Sequence, residues 1–326
     1  KLAKVSEERK ATDFSPWIAP SRRVFVTIIQ HNPFKPWPLQ TIMEYTHILL
    51  RYGEVFLKGK NKRFFEKQLR ENIKAITGIT DVSLYKSKLV MPFFPGHEKL
   101  KRVFGLVSYS PAICLGKDVE AVKRMAVNLV RGAKTFCIDA SRCDKSFPLT
   151  SPEINILVGD YVVEHTGTKV QLKQPEAHVR IEIHPEQMYV YSEVVSCFGG
   201  LPVGSGGKVL LLLENEQSIL AGLLCMKRGI SIIPVSVRRE RDISLLQSFA
   251  PFPLRQIVAE QMVDIEPLAQ KHRCLSVISG QTLQEYSYYD VPVTVFRPVI
   301  AYTSSQIEEG LQAFLRASLP HTLNTL

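Results

Sequence analysis

The segment spanning residues 199–229 contains the pattern that most constrains how this chain folds. Val209–Leu213 is an unbroken apolar run, which is typical of a strand buried on both faces of a parallel sheet. Ser218–Arg228 has the pattern of a helix that ends in basic residues, and Gly229 suits a left-handed helix cap. Ile230–Val237 then predicts a second buried strand. The sequence therefore predicts a strand–helix–strand unit in a parallel sheet.

The loop that follows the first strand lies where open parallel sheets bind their ligands. It has no glycine, and Glu214 and Glu216 place two carboxylates in it. Glycines permit close backbone approach to a phosphate, whereas each carboxylate would repel one by about 1–4 kcal/mol at contact distance. Two other interpretations stay open. The carboxylates could hold Mg²⁺ that bridges to phosphates, or simply favour the start of the helix.

The downstream segment AGLLCMKRG, residues 221–229, resembles the nucleotide-binding domain of tRNA 4-thiouridine synthetases. This family is also called tRNA sulfurtransferases or thiamine-biosynthesis ThiI proteins. Its ATP loop, Ser-Gly-Gly-x-Asp-Ser, aligns with Leu213, Glu214, Asn215, Glu216, Gln217 and Ser218, of which only Ser218 matches. The resemblance implies ATP and Mg²⁺ as cofactors, while the altered loop predicts that the site is degenerate. It assigns no catalytic residue.

The N-terminal part of the resemblance begins abruptly at Met43. A strand at Tyr45–Arg51 precedes a helix that starts at Asn61 and carries an apolar stripe up to Gly78. With the short strands that follow, this resembles the family's ferredoxin-like unit. We expect residues 1–42 to be either a lineage-specific tail or a wrongly assigned start, and the run Val24–Ile29 predicts one short strand there.

Residues 105–198 resemble the THUMP domain, an RNA-binding module of tRNA-modifying enzymes. The resemblance rests on separated motifs, including Asp144-Lys145, Phe147-Pro148 and Val158-Gly159. Ser141 and Ser146 stand where family members carry basic residues, which predicts fewer phosphate contacts. A helix is predicted at Asp118–Arg131, and strands at Lys134–Ala140, Val170–Leu172, His178–Ile183 and Tyr189–Glu193.

The complete chain is predicted to combine α/β and α+β domains. We divide it into an irregular N-terminal tail (1–42), a ferredoxin-like domain (43–104), a THUMP domain (105–198) and a Rossmann-like parallel-sheet domain of the PP-loop ATPase type (199–326). Within the last domain the sequence predicts helices at Leu254–Lys271 and Ser304–Ala317, and strands at Cys274–Ile278 and Val293–Ile300. We expect a short form of the family without a rhodanese-like domain.

Basic charge is concentrated in the front of the chain and favours a polyanionic partner. Residues 43–198 carry 23 Lys and Arg against 17 Asp and Glu, whereas residues 199–326 carry 11 of each. The six cysteines form no CxxC pair and no zinc-binding spacing, so we expect reduced, buried thiols and no metal site. The sequence has no signal peptide and no long apolar run, which predicts a cytoplasmic protein without a membrane partner.

The candidate tRNA contacts are the basic residues of the ferredoxin-like and THUMP motifs: Arg51, Lys58, Lys60, Lys62, Arg63, Arg142, Lys145 and Arg180. For the four at residues 58–63, we favour a nucleic-acid phosphate shared with the backbone N–H groups of the helix start, and a merely solvated helix start is the alternative. Two functions remain. The first is a tRNA-binding relative with a decayed ATP loop, which acts in tRNA thiolation and possibly in thiazole sulfur transfer, directly or beside an active sulfurtransferase partner. The second is an ATP-dependent sulfurtransferase that makes 4-thiouridine at tRNA position 8. The resemblance also implies a homodimer.

Overall fold

The computed structural model describes residues 44–85 and 88–319, which belong to the second of the chain's two compact units, Glu44–Leu326. The N-terminal tail and the predicted strand Val24–Ile29 lie outside the described residues. We number the elements of this unit in chain order.

The strands are β1 His47–Tyr52, β2 Ser83–Tyr85, β3 Lys88–Pro92, β4 Leu106–Leu115, β5 Thr135–Arg142, β6 Lys169–Val170, β7 Ala177–Ile183, β8 Met188–Tyr191, β9 Val195–Ser196, β10 Lys208–Leu212, β11 Ser231–Val237, β12 Ile257–Ala259, β13 Ser276–Ser279 and β14 Thr294–Phe296. The helices are α1 Lys62–Thr77, α2 Val119–Val130, α3 Ser151–Thr166, α4 Gln217–Lys227, α5 Ser244–Phe249, α6 Ile265–Lys271 and α7 Ser304–Ser318. Four 3-10 helices lie at Glu54–Asn61, His97–Arg102, Met262–Asp264 and Leu283–Glu285.

One nine-stranded sheet joins the ferredoxin-like and THUMP regions. Its order is β2-β3-β1-β4-β8-β7-β5-β6, with β9 also paired to β4. Strand β4 is the link, because its residues pair antiparallel with β1 on one side and with β8 on the other. The sequence analysis did not identify β4, and the proposed boundary at residue 104 falls just before it. The two regions are therefore continuous through a single strand.

The helices of the N-terminal region follow from local signals. Helix α1 ends at Gly78, whose φ of 80° is in the left-handed region, and buries Leu69 and Ile73 against the sheet. Helix α2 is capped by Asp118, and α3 begins with a capping box between Thr150 and Glu153. Both helices pack on β5, β7 and β8 in one apolar core.

The C-terminal region contains the parallel sheet that the apolar run predicted. Its order is β12-β11-β10-β13-β14, and all four neighbouring pairs are parallel. Helices α4, α5 and α7 cover one face, where Leu211, Leu220 and Phe249 are fully or almost fully buried. Helix α6 covers the other face. Gly229 has a φ of 86°, as the helix-cap prediction requires.

One predicted helix was wrong. Leu254–Lys271 is not one helix, because Ile257–Ala259 pairs with β11 as an edge strand before a 3-10 turn and the short α6. In this segment, pairing with β11 decides between strand and helix conformations that local propensity leaves nearly equal in energy.

The junction between the two sheets is tightly packed. Phe104 stacks on Phe249 with ring centroids 5.4 Å apart, and Phe198 stacks on Phe314 at 4.4 Å. At Gly200, an added Cβ would lie 2.1 Å from the carbonyl oxygen of Lys227. The Asn72 side-chain amide of α1 also donates to the Val203 carbonyl at 3.0 Å. These contacts fix the C-terminal region against the ferredoxin-like region.

Candidate functional site

The cationic turn, which we define as Lys58, Lys60, Lys62 and Arg63, spans the first 3-10 helix and the start of α1. The predicted cap Asn61 precedes α1, but its side chain forms no capping hydrogen bond. Lys62 is partly neutralised, since its Nζ lies 3.5 Å from Glu66 Oε1 and 4.7 Å from the Phe56 ring centroid. The turn thus presents several positive charges beside a helix N-terminus.

Lys60 and Arg63 are the exposed members of this turn, and within the described part of the chain neither forms an ion pair. Large apolar side chains surround them: Phe56 is 55% exposed, Leu57 80% and Phe64 53%. Cations interleaved with exposed aromatic rings are typical of surfaces that bind nucleic-acid backbones and bases. The structure therefore brings four of the eight predicted contacts together.

Arg51 lies elsewhere, on the face of the large sheet that joins the ferredoxin-like and THUMP regions. Its guanidinium donates to Ser110 Oγ at 3.0 Å, Glu182 Oε1 at 3.1 Å and the Tyr191 hydroxyl at 2.5 Å. Glu182 is buried and also accepts from Lys88 Nζ at 2.6 Å. Burial alone would raise the pKa of Glu182, but His184, Lys88 and Arg51 together hold the pKa well below its usual range.

The three predicted THUMP contacts are separate from the cationic turn in the fold. Arg142 donates to the carbonyls of Phe147 and Leu149, at 3.2 and 3.0 Å, and so holds the loop after β5. Arg180 donates to the Ser192 carbonyl at 3.0 Å. Lys145 is exposed on the loop after β5.

Asp144 and Ser146 stabilise the loop that presents Lys145. The hydroxyl and backbone N–H of Ser146 both donate to Asp144, at 2.5 and 3.0 Å, and Lys117 Nζ lies 3.1 Å away. These hydrogen bonds, with that of Lys117, lower the pKa of Asp144 to about 2. Ser146, which replaces a basic family residue, therefore has a structural partner in this chain.

The segment Leu213–Ser218, which the sequence predicts to be a degenerate ATP loop and which we call the degenerate loop, connects β10 to α4 at the carboxyl edge of the parallel sheet. The Glu214 carboxylate accepts hydrogen bonds from the Tyr289 hydroxyl and, at 3.0 Å, from the Ser279 hydroxyl. Burial first, then the bond to Glu214, raises the pKa of Tyr289. Glu216 is exposed. One carboxylate thus bridges β10 to the segment around β13, and the other faces solvent.

Three backbone N–H groups of this loop, those of Glu214, Asn215 and Ser218, are bonded within the loop. Those of Glu214 and Asn215 point to Ser218 Oγ at 3.2 and 3.5 Å, and that of Ser218 donates to Asn215 Oδ1 at 3.2 Å. The Asn215 and Gln217 amides both donate to Glu285 Oε2 at 3.1 Å. These three N–H groups and two side-chain amides at the helix start are therefore engaged by the protein itself.

The residues that complete this network were missed by the sequence analysis. Ser279, Glu285 and Tyr289 come from β13 and from the segment before β14, more than sixty residues after the loop. Arg241 donates to the Glu214 carbonyl at 2.9 Å. The only available signal was topological, because adjacent parallel strands place their carboxyl ends at one edge.

Other reactive groups are buried or dispersed. Across residues 44–85 and 88–319, no three His, Cys, Asp or Glu side chains form a group that could hold a metal ion. Cys225 and Cys274 are buried as predicted, and burial raises the pKa of Cys225 to about 12. No disulfide joins the six cysteines. None of the helices in the described ranges is long and apolar enough to span a bilayer.

Comparison with known domains identifies the class of protein that this fold defines. The model of the ThiI ferredoxin-like domain matches residues 47–110, and the model of the THUMP domain matches residues 117–193. The molecule is thus a THUMP protein with a ThiI-type ferredoxin-like domain and a C-terminal Rossmann-like domain. The fold class inferred from the sequence is confirmed.

The chain belongs to the tRNA sulfurtransferase family. It is 32% identical over 322 residues to a probable tRNA sulfurtransferase of Moorella thermoacetica, covering 81% of this chain and 82% of that protein. It is 40% identical over 201 residues to the corresponding protein of Alkaliphilus metalliredigens. The match spans only about half of that relative's length, 51%.

Two crystal structures share the arrangement of domains. PH1313 from Pyrococcus horikoshii superposes with a TM-score of 0.74 at 28% identity, covering 82% of this chain and 99% of that one. A 4-thiouridine synthetase–RNA complex with bound ATP gives a TM-score of 0.74 at 25% identity, covering 85% of this chain and 87% of that one. The resemblance inferred from the sequence is therefore confirmed at the level of the family and the fold.

Proposed function

We propose that this chain is a tRNA-binding member of the tRNA sulfurtransferase family whose degenerate loop does not hold a triphosphate. It would act in tRNA thiolation, directly or beside an active sulfurtransferase partner. One observation carries the second part: Glu214 is bound by Ser279 and Tyr289, while neighbouring N–H groups are bonded to Ser218 and Asn215. A triphosphate would have to displace these bonds and approach carboxylates, so the residues present do not fit ATP.

The tRNA-binding part is supported by the THUMP match and by the cationic turn. Among the eight candidate residues, Arg51, Arg142 and Arg180 already donate to protein acceptors, whereas Lys60, Arg63 and Lys145 are exposed. We therefore assign the strongest phosphate contacts to the exposed residues, with Lys58 and Lys62 beside them. Arg51, Arg142 and Arg180 would instead stabilise the conformation of the tRNA-binding surface.

Calorimetric titration of ATP–Mg²⁺, with and without tRNA, tests the proposal. We expect no binding at millimolar ATP together with salt-sensitive binding of tRNA. Micromolar ATP affinity would contradict the degenerate-site proposal. It would favour the second candidate, an active enzyme making 4-thiouridine at tRNA position 8, which the related ATP-bound RNA complex supports.

The cationic turn is tested separately by Lys60→Ala with Arg63→Ala. Each lost phosphate contact reduces the slope of log K against log[salt] by about one unit, so the double variant should lower it by about two. Arg239→Ala with Arg316→Ala removes two exposed charges from the C-terminal region and serves as the control. An unchanged slope in the first variant would remove the turn from the proposed interface. The implied homodimer, the thiazole role and the cytoplasmic location remain predictions.

A further inference from the structure

A groove lies at the edge of the parallel sheet opposite the degenerate loop. It is a cavity of about 670 Å³ that we call the basal groove. The first residues of three strands line it: Lys208 of β10, Ser231 of β11 and Ile257 of β12. Ser231 pairs beside Lys208 at the amino-terminal edge, whereas Ile257 pairs beside Val235, four residues further along β11. The groove therefore extends from the amino-terminal edge of β10 and β11 along β11 to the staggered start of β12. Its volume falls in the range of pockets that bind ligands.

Most of the uncharged side chains that line the basal groove are aliphatic. They include Ile233, Pro234, Pro253, Leu254 and Leu268. Among the described lining residues Phe252 is the one phenyl ring, 38% exposed at the rim, and His272 adds a single imidazole. Sites for single-stranded nucleic acid instead depend on several aromatic faces that stack on bases. The composition of the walls therefore favours the apolar side chains of a protein segment over RNA.

The charge around this groove has one sign. Lys208, Arg255 and Lys271 line it, together with His272, and no Asp or Glu is among the described residues that line it. The three cations are exposed, and within the described ranges none of them forms an ion pair. The dipole of α6 favours Lys271 at its C-terminal end but does not explain the other two. This concentration is notable in a region whose positive and negative charges are equal in number.

The groove also adjoins an open sheet edge. Among residues 44–85 and 88–319, strand β12 ends the sheet order and pairs with β11 on one side only. Its outer N–H and C=O groups can pair with an added strand, which is one of the common modes of peptide recognition. An extended segment presents alternate side chains to opposite faces. Such a segment could place apolar side chains in the groove while its acidic side chains reach the cations.

We propose that the basal groove binds an extended acidic segment of a partner protein, with apolar side chains alternating with Asp or Glu. The apolar side chains contact Leu254, Leu268 and Phe252, and the carboxylates pair with Lys208, Arg255 and Lys271. This site is independent of the degenerate loop and of the cationic turn, so it stands whether or not the chain binds ATP or tRNA.

The test uses the full chain and a fluorescent synthetic peptide in which Asp and Glu alternate with Leu and Phe. Fluorescence anisotropy should give a micromolar Kd. Arg255→Glu with Lys271→Glu should weaken binding at least about tenfold, since two favourable pairs become repulsive. Phe252→Ser should weaken it several-fold without disturbing the fold, because this ring is at the rim. Arg239→Glu with Arg316→Glu is the charge-matched control and should leave the Kd unchanged.

Three results would overturn the proposal. The first is no binding of the peptide. The second is equal binding of a control peptide with Ser in place of Leu and Phe, which would mean non-specific attraction between charges. The third is displacement of the peptide by oligouridylate, with the Arg255→Glu, Lys271→Glu variant losing affinity for that RNA, which would make the groove a nucleic-acid surface. Thermal unfolding of each variant verifies that the folded state is retained.

Discussion

Glu182 connects the ferredoxin-like and THUMP parts of the joined sheet through buried ion pairs, and Glu182→Gln tests that role. This carboxylate lies in β7 of the THUMP region and binds Lys88 of β3 and Arg51 of β1 in the ferredoxin-like region. Breaking a buried ion pair from one side costs about 3–5 kcal/mol, because the remaining charge loses its partner. Lys88 and Arg51 are 28% and 22% exposed, so water recovers part of that cost. We expect a loss of about 2–3 kcal/mol.

The dependence of this loss on pH follows from the direction of the pKa shift. Burial raises the pKa of Glu182, but its partners outweigh burial and hold the pKa below the ordinary unfolded value of about 4.3. The stabilisation is therefore fully present above the unfolded pKa and disappears as pH falls through the folded pKa. The difference between wild type and Glu182→Gln should stay constant from pH 8 to about 5 and narrow below about 4.

Thermal unfolding across this pH range measures both effects. The expected loss lowers Tm by roughly 4–10 °C at pH 7 for a domain of this size. Glu71→Gln removes an exposed carboxylate that pairs with Lys74 and should change Tm by less than about 2 °C. A Glu182→Gln variant that melts like wild type, or one whose deficit is the same at pH 3 and pH 7, would refute the assigned role.

Two further perturbations concern packing. Gly280→Ala should lower the free energy of unfolding by about 1–3 kcal/mol in urea titrations, because the new Cβ would lie 2.3 Å from the backbone nitrogen of Ser218. Gly159→Ala in α3 is the control: its Cβ has nothing within 4 Å, so this variant should raise the free energy of unfolding by about 0.5–1 kcal/mol. Similar effects of the two substitutions would contradict the close packing at α4. Phe249→Ala should lower the free energy of unfolding by about 3–5 kcal/mol and loosen the junction between the two sheets. Amide hydrogen exchange should then be faster in β10 and β11. Faster exchange confined to α5 would argue against coupling through this ring.

The position of Arg51 changes the interpretation of the family's basic residues in this chain. A cation at the end of a strand resembles a nucleic-acid contact, but its partners Ser110, Glu182 and Tyr191 come from other strands. An effect of Arg51 substitution on tRNA binding would therefore need a stability control. Substitutions of the exposed Lys60 and Arg63 need no such stability control, since neither side chain has an ion partner among the described residues.

Local pattern was sufficient for most of the elements near the proposed sites. The apolar run before Glu214 and the Gly229 cap predicted β10, α4 and β11 within one or two residues. The stripe ending at Gly78 predicted α1. These predictions are accurate because helix periodicity, buried strands and left-handed caps depend on neighbours within a few residues.

Pairing over long distances decided the rest. The sequence by itself determined a parallel-sheet unit, a basic front region, and an acidic loop without glycine after the first strand of that unit. Only the tertiary structure showed that β4 joins two domains in one sheet, that Leu254–Lys271 divides into a strand and a short helix, and that Ser279 and Tyr289 hold Glu214. Each of these contacts joins residues far apart in the chain, and their free energy comes from burial and hydrogen bonds that no local pattern contains.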